Sequence, residues 1–153
     1  MKEIALTQGK VALVDDEDFE FLSQWKWYLK NFDNHFYAAR SVDDKRMHRI
    51  ILNITDSKIF VDHKDGNGLN NQRNNIRAAT ISQNGANRVK RNNSSSRYLG
   101  VYWVKKTKLW RVGISKNGVL QNVGCFKDEK DAAIAYNNKA KELHGEFANL
   151  NQV

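Results

Sequence analysis

Asp62 and His63 stand side by side where the strand-like run Ile59-Phe60-Val61 ends, and Asp65-Gly66-Asn67 follows at once. An imidazole has its pKa near neutrality and can take a proton from water. A carboxylate oxygen is a hard ligand that suits Mg²⁺ or a similar ion. Alone, an Asp next to a His at a strand end reads as structural. Alternation also sends the two side chains to opposite faces unless the chain bends, and Asp65-Gly66-Asn67 supplies a bend. Further on, Thr80-Ile81-Ser82-Gln83 has the form of a capping box, which predicts a helix over roughly 81–90. That helix can bring Asn84 back across the strand end as a second oxygen ligand. One metal ion held by few protein groups, with His63 as base, is the minimal equipment for hydrolysing a phosphodiester. The metal would stabilise the charge on the scissile phosphate and the leaving oxygen.

The elements around these residues follow from composition. Nine of the 27 residues from Asn67 to Asn93 are Asn. So many amides cannot build an apolar core; they suit a loop held by bonds from side chain to backbone. Ile76-Arg77-Ala78-Ala79 reads as a second short strand, giving the order strand, long loop, strand, helix. Upstream, Ile4-Ala5-Leu6 and Val11-Ala12-Leu13-Val14 flank Gln8-Gly9 as a hairpin. Asp15 or Asp16 can cap a short helix over 17–24, with Glu17 and Asp18 in its first turn. Trp25, Trp27, Phe36 and Tyr37 suggest two more strands around 31–34. This N-terminal third reads as scaffold, without chemistry of its own.

Asn92-Asn93-Ser94-Ser95-Ser96 is polar and reads as a linker, with a boundary near 93–96. Beyond it, Val101, Trp103, Trp110, Val112 and Ile114 share one parity, while Tyr102, Val104, Arg111, Gly113 and Ser115 share the other. That is the pattern of a half-buried antiparallel sheet. Asn117-Gly118 signals a tight hairpin turn, and a third strand is predicted over about 120–126. Asp128 can cap the helix that follows, whose Ala132, Ala133, Ala135, Tyr136, Ala140 and Leu143 make a small-residue face. Three strands backed by one helix result. The open face is basic and polar, with Lys105, Lys106, Lys108, Arg111 and Lys116 on it or at its hairpin ends.

The charge agrees with this division. The 153 residues carry 25 Lys and Arg against 17 acids, a net charge of +8 with an isoelectric point near 9.6. Residues 1–39 hold four Lys and seven acids. Residues 40–92 have a net charge of +6, and residues 93–153 have +5. Between 97 and 127 there are seven basic residues and no acid. Such a distribution favours a polyanionic partner, nucleic acid before membrane. One Cys excludes a disulfide framework and a Cys-rich structural zinc site. No apolar run approaches the length of a membrane span, and the N-terminus has no apolar core after Lys2, so an intracellular protein is expected.

His63, Asn75 and Asn84 have the spacing of the HNH, or ββα-metal, homing endonucleases of phages. Met47-His48-Arg49-Ile50, Val61-Asp62-His63, Leu69-Asn70-Asn71, Asn75-Ile76-Arg77 and Ser82-Gln83-Asn84 all resemble that family. The match covers residues 47–90 within a nuclease domain of residues 1–92. The resemblance implies that His63 is the general base and that Asp62 and Asn84 ligate one divalent metal, Mg²⁺ or Mn²⁺. It implies that Asn75 hydrogen-bonds across the loop and holds its shape, and that cleavage leaves a 3′-hydroxyl and a 5′-phosphate. Asn stands last where other branches have His, the usual form in the phage branch. It also implies a bacterial or phage-infected cell as the setting.

The C-terminal part, residues 97–153, resembles the Apetala-two/ethylene-response-factor DNA-binding domain. The likeness lies in Gly100-Val101-Tyr102-Trp103, Trp110-Arg111-Val112-Gly113-Ile114, Val123-Gly124-Cys125-Phe126, Asp131-Ala132-Ala133-Ile134-Ala135-Tyr136 and the stretch from His144 to Asn151. In that family the three-stranded sheet enters the major groove. Leu99, Tyr102, Val104, Ser115 and Asn122 stand where plant members carry Arg or Trp. The docking mode therefore carries over better than the sequence specificity. Tyr102, Arg111 and Asn122 remain as base readers, and Lys105, Lys106 and Lys108 as phosphate contacts.

The expected fold is thus α+β: a ββα-metal nuclease domain joined by the linker 93–96 to a three-stranded antiparallel sheet backed by one helix. The expected activity is metal-dependent cleavage of double-stranded DNA by a monomer or a homodimer. The alternatives are a DNA-binding regulator that no longer cuts and, behind it, an RNA-binding protein. Arg73, Arg77 and Arg88 are expected on phosphates rather than on a solvated face. His48 lies beside the site, with a role in binding DNA or in positioning left open. Trp103, Trp110 and Cys125 are expected in the core by parity, and His35 and His144 as structural or surface residues.

Overall fold

The computed structural model describes residues 1–32, 35–87 and 94–153. The fold is mixed α+β, with small antiparallel sheets and few helices. The chain divides into two compact units, Met1–Thr80 and Ile81–Val153.

In the first unit, β1 (Lys2–Ala5) and β2 (Val11–Val14) form the expected hairpin, turned through Gln8 and Gly9, both at positive φ. Helix α1 (Asp16–Leu22) follows, then a second hairpin of β3 (Trp27–Phe32) and β4 (His35–Arg40). Alternation buries Ile4, Ala12, Val14, Trp27, Leu29 and Ala38. They close on Leu22 from α1 and on Met47 and Ile51 from α2 (Met47–Ile51). The Trp27 indole N–H donates to the Leu22 carbonyl at 2.8 Å, so the large ring is buried without an unmet donor. Strands β5 (Phe60–His63) and β6 (Ile76–Ala79) pair antiparallel, and Ile76 completes this core.

The second unit contains α3 (Ile81–Ala86) and a sheet of β7 (Val101–Val104), β8 (Leu109–Lys116) and β9 (Val119–Phe126), in that order. Helix α4 (Glu129–His144) lies on the sheet, with Ala132, Ala133, Tyr136 and Ala140 buried against Val101, Val112 and Ile114. The Asp128 carboxylate accepts from the Lys130 and Asp131 amides and caps α4, and Gly145 ends it at φ +55°. Asn117 and Gly118 both take positive φ, as a tight hairpin turn requires. Asn151 pins the C-terminal tail: it accepts from the Leu99 amide, donates to the Leu99 carbonyl and exchanges two bonds with Asn137.

Four expectations change. The Asp15 backbone stands at the N-cap of α1, but its carboxylate makes no cap and turns to Gln72 and Arg73 instead. Cys125 is exposed, not in the core. A bulge shifts the register from Val112↔Gly124 to Gly113↔Asn122 and leaves Val123 as an extra residue. The parity of β9 inverts there, so Cys125 and Asn122 share a face. Trp103 has core parity yet is 37% exposed; the cluster under α4 ends at Trp110, on which Trp103 stacks edge-on at 5.0 Å. Finally, Ser94–Ser96 do not trail as a linker. Ser95 Oγ accepts from the Trp103 amide, and buried Ser96 donates to Glu129. Asn93 lies outside the described residues.

Gly100 tests the packing of the second unit. Its φ is +73°, and a Cβ there would overlap the Tyr136 ring. Gly118 has φ +80° but open space around it. Gly118→Ala is expected to cost about 1–2 kcal/mol, the left-handed penalty alone. Gly100→Ala adds an overpacking cost of about 1–3 kcal/mol. Chemical denaturation of the two variants checks the difference.

Candidate active site

The register of β5 on β6 sets Asp62 opposite Arg77 and His63 opposite Ile76. The loop from Lys64 to Asn75 joins the strands and carries almost no apolar side chains. Polar bonds hold it instead. Asn75 Nδ2 donates to Asp65 Oδ1 at 2.9 Å and to the Asn70 carbonyl at 2.8 Å, while Asn75 Oδ1 accepts from the Asp65 amide at 3.1 Å. Asp65 also accepts from the Asn67 amide and from Asn70 Nδ2. Burial would raise the Asp65 carboxyl, but these bonds outweigh it and hold the pKa below its ordinary value. Gly66, at φ +73°, returns its N–H to the His63 carbonyl and makes the bend.

The loop is also tied to the N-terminal hairpin. The Leu13 amide donates to the Leu69 carbonyl, and the Asn71 amide donates to the Leu13 carbonyl. Asp15 accepts from Gln72 Nε2 at 3.0 Å and from the Arg73 amide at 2.8 Å, and both bonds lower its pKa. Arg73 forms ion pairs with Asp18 and Glu17. The N-terminal third is therefore more than a passive scaffold: its acids fix the loop. The sequence signal was the acidic excess of residues 1–39 facing a basic middle.

His63 is 6% exposed and is surrounded by rings. The His48 ring, from α2, meets it at 5.0 Å between centroids and 79° between planes. Tyr37, from β4, lies 6.1 Å from His63 and 5.6 Å from His48. Burial lowers the His63 pKa, while Asn71 and the carboxylates of Asp65 and Asp62 pull it back up. His63 is thus biased toward the neutral form that accepts a proton. Burial, with the charges of His63, Arg46 and Arg49, pushes His48 down to about 2. Tyr37 belongs to this cluster although its sequence position marked only a strand. The Arg46 guanidinium covers its ring at 5.0 Å and the exposed Phe32 ring at 5.2 Å.

Asp62, 4% exposed, is held by Arg77: both Nε and Nη2 of the guanidinium lie 2.8 Å from Asp62 Oδ2. Both arginines of the loop region that fall among the described residues, Arg73 and Arg77, thus sit on carboxylates of the chain. Arg88 lies outside the described residues. Asn84 is on α3 in the second unit and is half-buried there. Among the described residues no three His, Cys, Asp or Glu side chains cluster as a metal cage. The Asp62 carboxylate is a hard oxygen donor of the kind that suits Mg²⁺ or Mn²⁺.

In the second unit, Tyr102, Arg111 and Cys125 form one row across the sheet, and Asn122 pairs with Gly113 in the next. Tyr102, Arg111 and Asn122 therefore share the face away from α4. Lys105, Lys106 and Lys108 are exposed in the turn between β7 and β8.

The chain is 32% identical over 151 residues to an uncharacterized HNH endonuclease of Acanthamoeba polyphaga mimivirus, covering 95% of this chain and 77% of that protein. It is 32% identical over 89 residues to Protein 3.8 of Escherichia phage T7, covering 58% of this chain and 73% of that protein. No family model matches the chain. No solved structure matches it. The chain belongs to the HNH endonuclease family. Among the described residues no helix is long and apolar enough to cross a membrane.

Asn75→Ala removes three loop bonds, two to Asp65 and one to the half-buried Asn70, at an expected cost of about 1 kcal/mol each. Chemical denaturation and faster amide exchange at residues 65–75 read it. The depressed pKa values of Asp15 and Asp65 have a further consequence. Their stabilisation is complete above the ordinary carboxylate value of 3.8 and is lost as pH falls through the lower folded values. Asp65→Asn is expected to flatten this acid limb in equilibrium unfolding followed against pH.

Proposed function

We propose that the chain is a metal-dependent DNA endonuclease that hydrolyses phosphodiester bonds in double-stranded DNA. His63 carries the reading. It is buried, biased neutral, and fixed at the strand end from which the stapled loop departs. In this role it takes the proton of the attacking water. Asp62 and Asn84 are the residues proposed to hold one divalent cation, Mg²⁺ or Mn²⁺, which supplies charge stabilisation at the scissile phosphate. Asn75 keeps the loop in shape around His63. Kinship with a protein named as an HNH endonuclease supports the reading.

The second unit is proposed as a DNA-docking module of the Apetala-two kind. Tyr102, Arg111 and Asn122 face the bases, and Lys105, Lys106 and Lys108 meet phosphates. What supports this is the shared open face of the first three and the basic turn at its edge.

One observation favours a second reading, a DNA-binding regulator that does not cut: the Asp62 carboxylate already has a cation, Arg77. Supercoiled plasmid incubated with Mg²⁺ or Mn²⁺ separates the two. The proposed function expects nicked or linear product, and His63→Ala is expected to slow cleavage by about 10²–10⁴-fold with DNA affinity retained. Absence of cleavage across several metals and many DNA sequences supports the regulator. Replacing Lys105, Lys106 and Lys108 by Ala is expected to reduce the slope of log affinity against log salt by roughly 2–3. An unchanged slope would remove that turn from the interface.

A further inference from the structure

We propose that His48 is a positioning residue for His63 and acts through the contact between their rings. The proposal rests on the reading of His63 as the general base and deepens it.

His48 sits on α2, 3% exposed, with its ring edge-on to His63 at 5.0 Å and 79°. Tyr37 packs against both rings, at 5.6 Å from His48 and 6.1 Å from His63. Three elements far apart in sequence, β4, α2 and β5, therefore converge on one imidazole. An imidazole has a broad preference about its terminal torsion. A base that must present one nitrogen to a water needs that torsion fixed, and misplacement by about 1 Å can cost 10²-fold in rate.

The surroundings of His48 are aromatic: its ring packs against Tyr37 and His63. Its Nδ1 has no hydrogen-bond partner among the described residues. Packing, not a polar bond at Nδ1, is thus what the contact supplies, and close-packed interiors leave a ring little freedom to turn.

The test uses the full chain with His48→Ala and His48→Phe. Cleavage kinetics on plasmid DNA, DNA affinity, thermal melting and the imidazole ¹H–¹⁵N spectrum of His63 are recorded for each. His48→Ala is expected to lower kcat by about 10–100-fold with KM unchanged, and to shift or broaden the His63 ring signals. His48→Phe keeps a ring and removes a buried nitrogen without a partner. It is expected to fold as well as the wild type, to restore most of kcat and to return the His63 signals. Wild-type kcat in His48→Ala, or a His48→Phe as impaired as His48→Ala, overturns the proposal. If the wild type cuts nothing, the general-base reading falls, and the spectra decide the positioning by themselves. A His63 signature identical in all three proteins overturns it.

Discussion

The bend after His63 depends on one carboxamide–carboxylate pair, Asn75 with Asp65. The two side chains and the Asp65 amide form a closed set of bonds, and Asn75 extends it to the Asn70 carbonyl. No apolar cluster lies within the loop to take over if that set opens. Each bond is worth about 1 kcal/mol net, but a buried donor or acceptor left without its partner costs about 1–3 kcal/mol. Polar bonds therefore hold the loop, this set at its start and those from Leu13 and Asp15 further along. This explains the amide-rich composition: Asn offers both a donor and an acceptor on a short stem, so it can bridge backbone and side chain in one step. It also explains why an acid sits inside a basic region. Asp65 accepts from three loop residues, and no neutral side chain does that with the same strength.

The charge distribution takes on a different meaning with the contacts in view. Asp15, Glu17 and Asp18 account for much of the acidic excess at the N-terminus. They bind Gln72 and Arg73. Part of the positive charge around the site, at Arg73 and Arg77, is thus paired with carboxylates of the chain. Among the described residues no carboxylate pairs with Lys105, Lys106 or Lys108, which remain exposed. Electrostatic attraction to a polyanion consequently weighs more on the second unit than a count of Lys and Arg by segment indicates.

Much of this was legible in the sequence because it is local. The hairpin at Asn117-Gly118, the Asp128 cap and the strand–loop–strand–helix order depend on neighbours within a few residues. The capping chemistry of Asp15 looked equally local and was not. Its carboxylate left the helix for Gln72 and Arg73, because two donors from a loop that needs anchoring outcompete one helix amide. The bulge at Val123 was invisible for a related reason. Alternation assumes an unbroken ladder, and one inserted residue moved Cys125 to the other face. Helix α2 escaped because five residues are too few for periodicity to emerge. It brings His48 to His63 by tertiary packing, which no spacing rule encodes. The pairing of Asp62 with Arg77 follows from register, and register is fixed only when both strands are known.

That last pair decides how the site is to be understood. A buried carboxylate without a partner is costly, so Arg77 stabilises the fold around Asp62 whether or not the protein cuts DNA. A divalent cation and a guanidinium about 4 Å apart repel by about 8 kcal/mol at an effective dielectric of 20. A carboxylate shared between them must offset that repulsion, or the guanidinium must find another anion. The phosphates of bound DNA are such anions, and Arg pairs with them as readily as with a carboxylate. The cleaving reading therefore needs Arg77 to share Asp62 or leave it when DNA is present. The regulator reading needs Arg77 to stay. Both use the same ion pair, and they differ only in whether the energy of DNA binding reaches it.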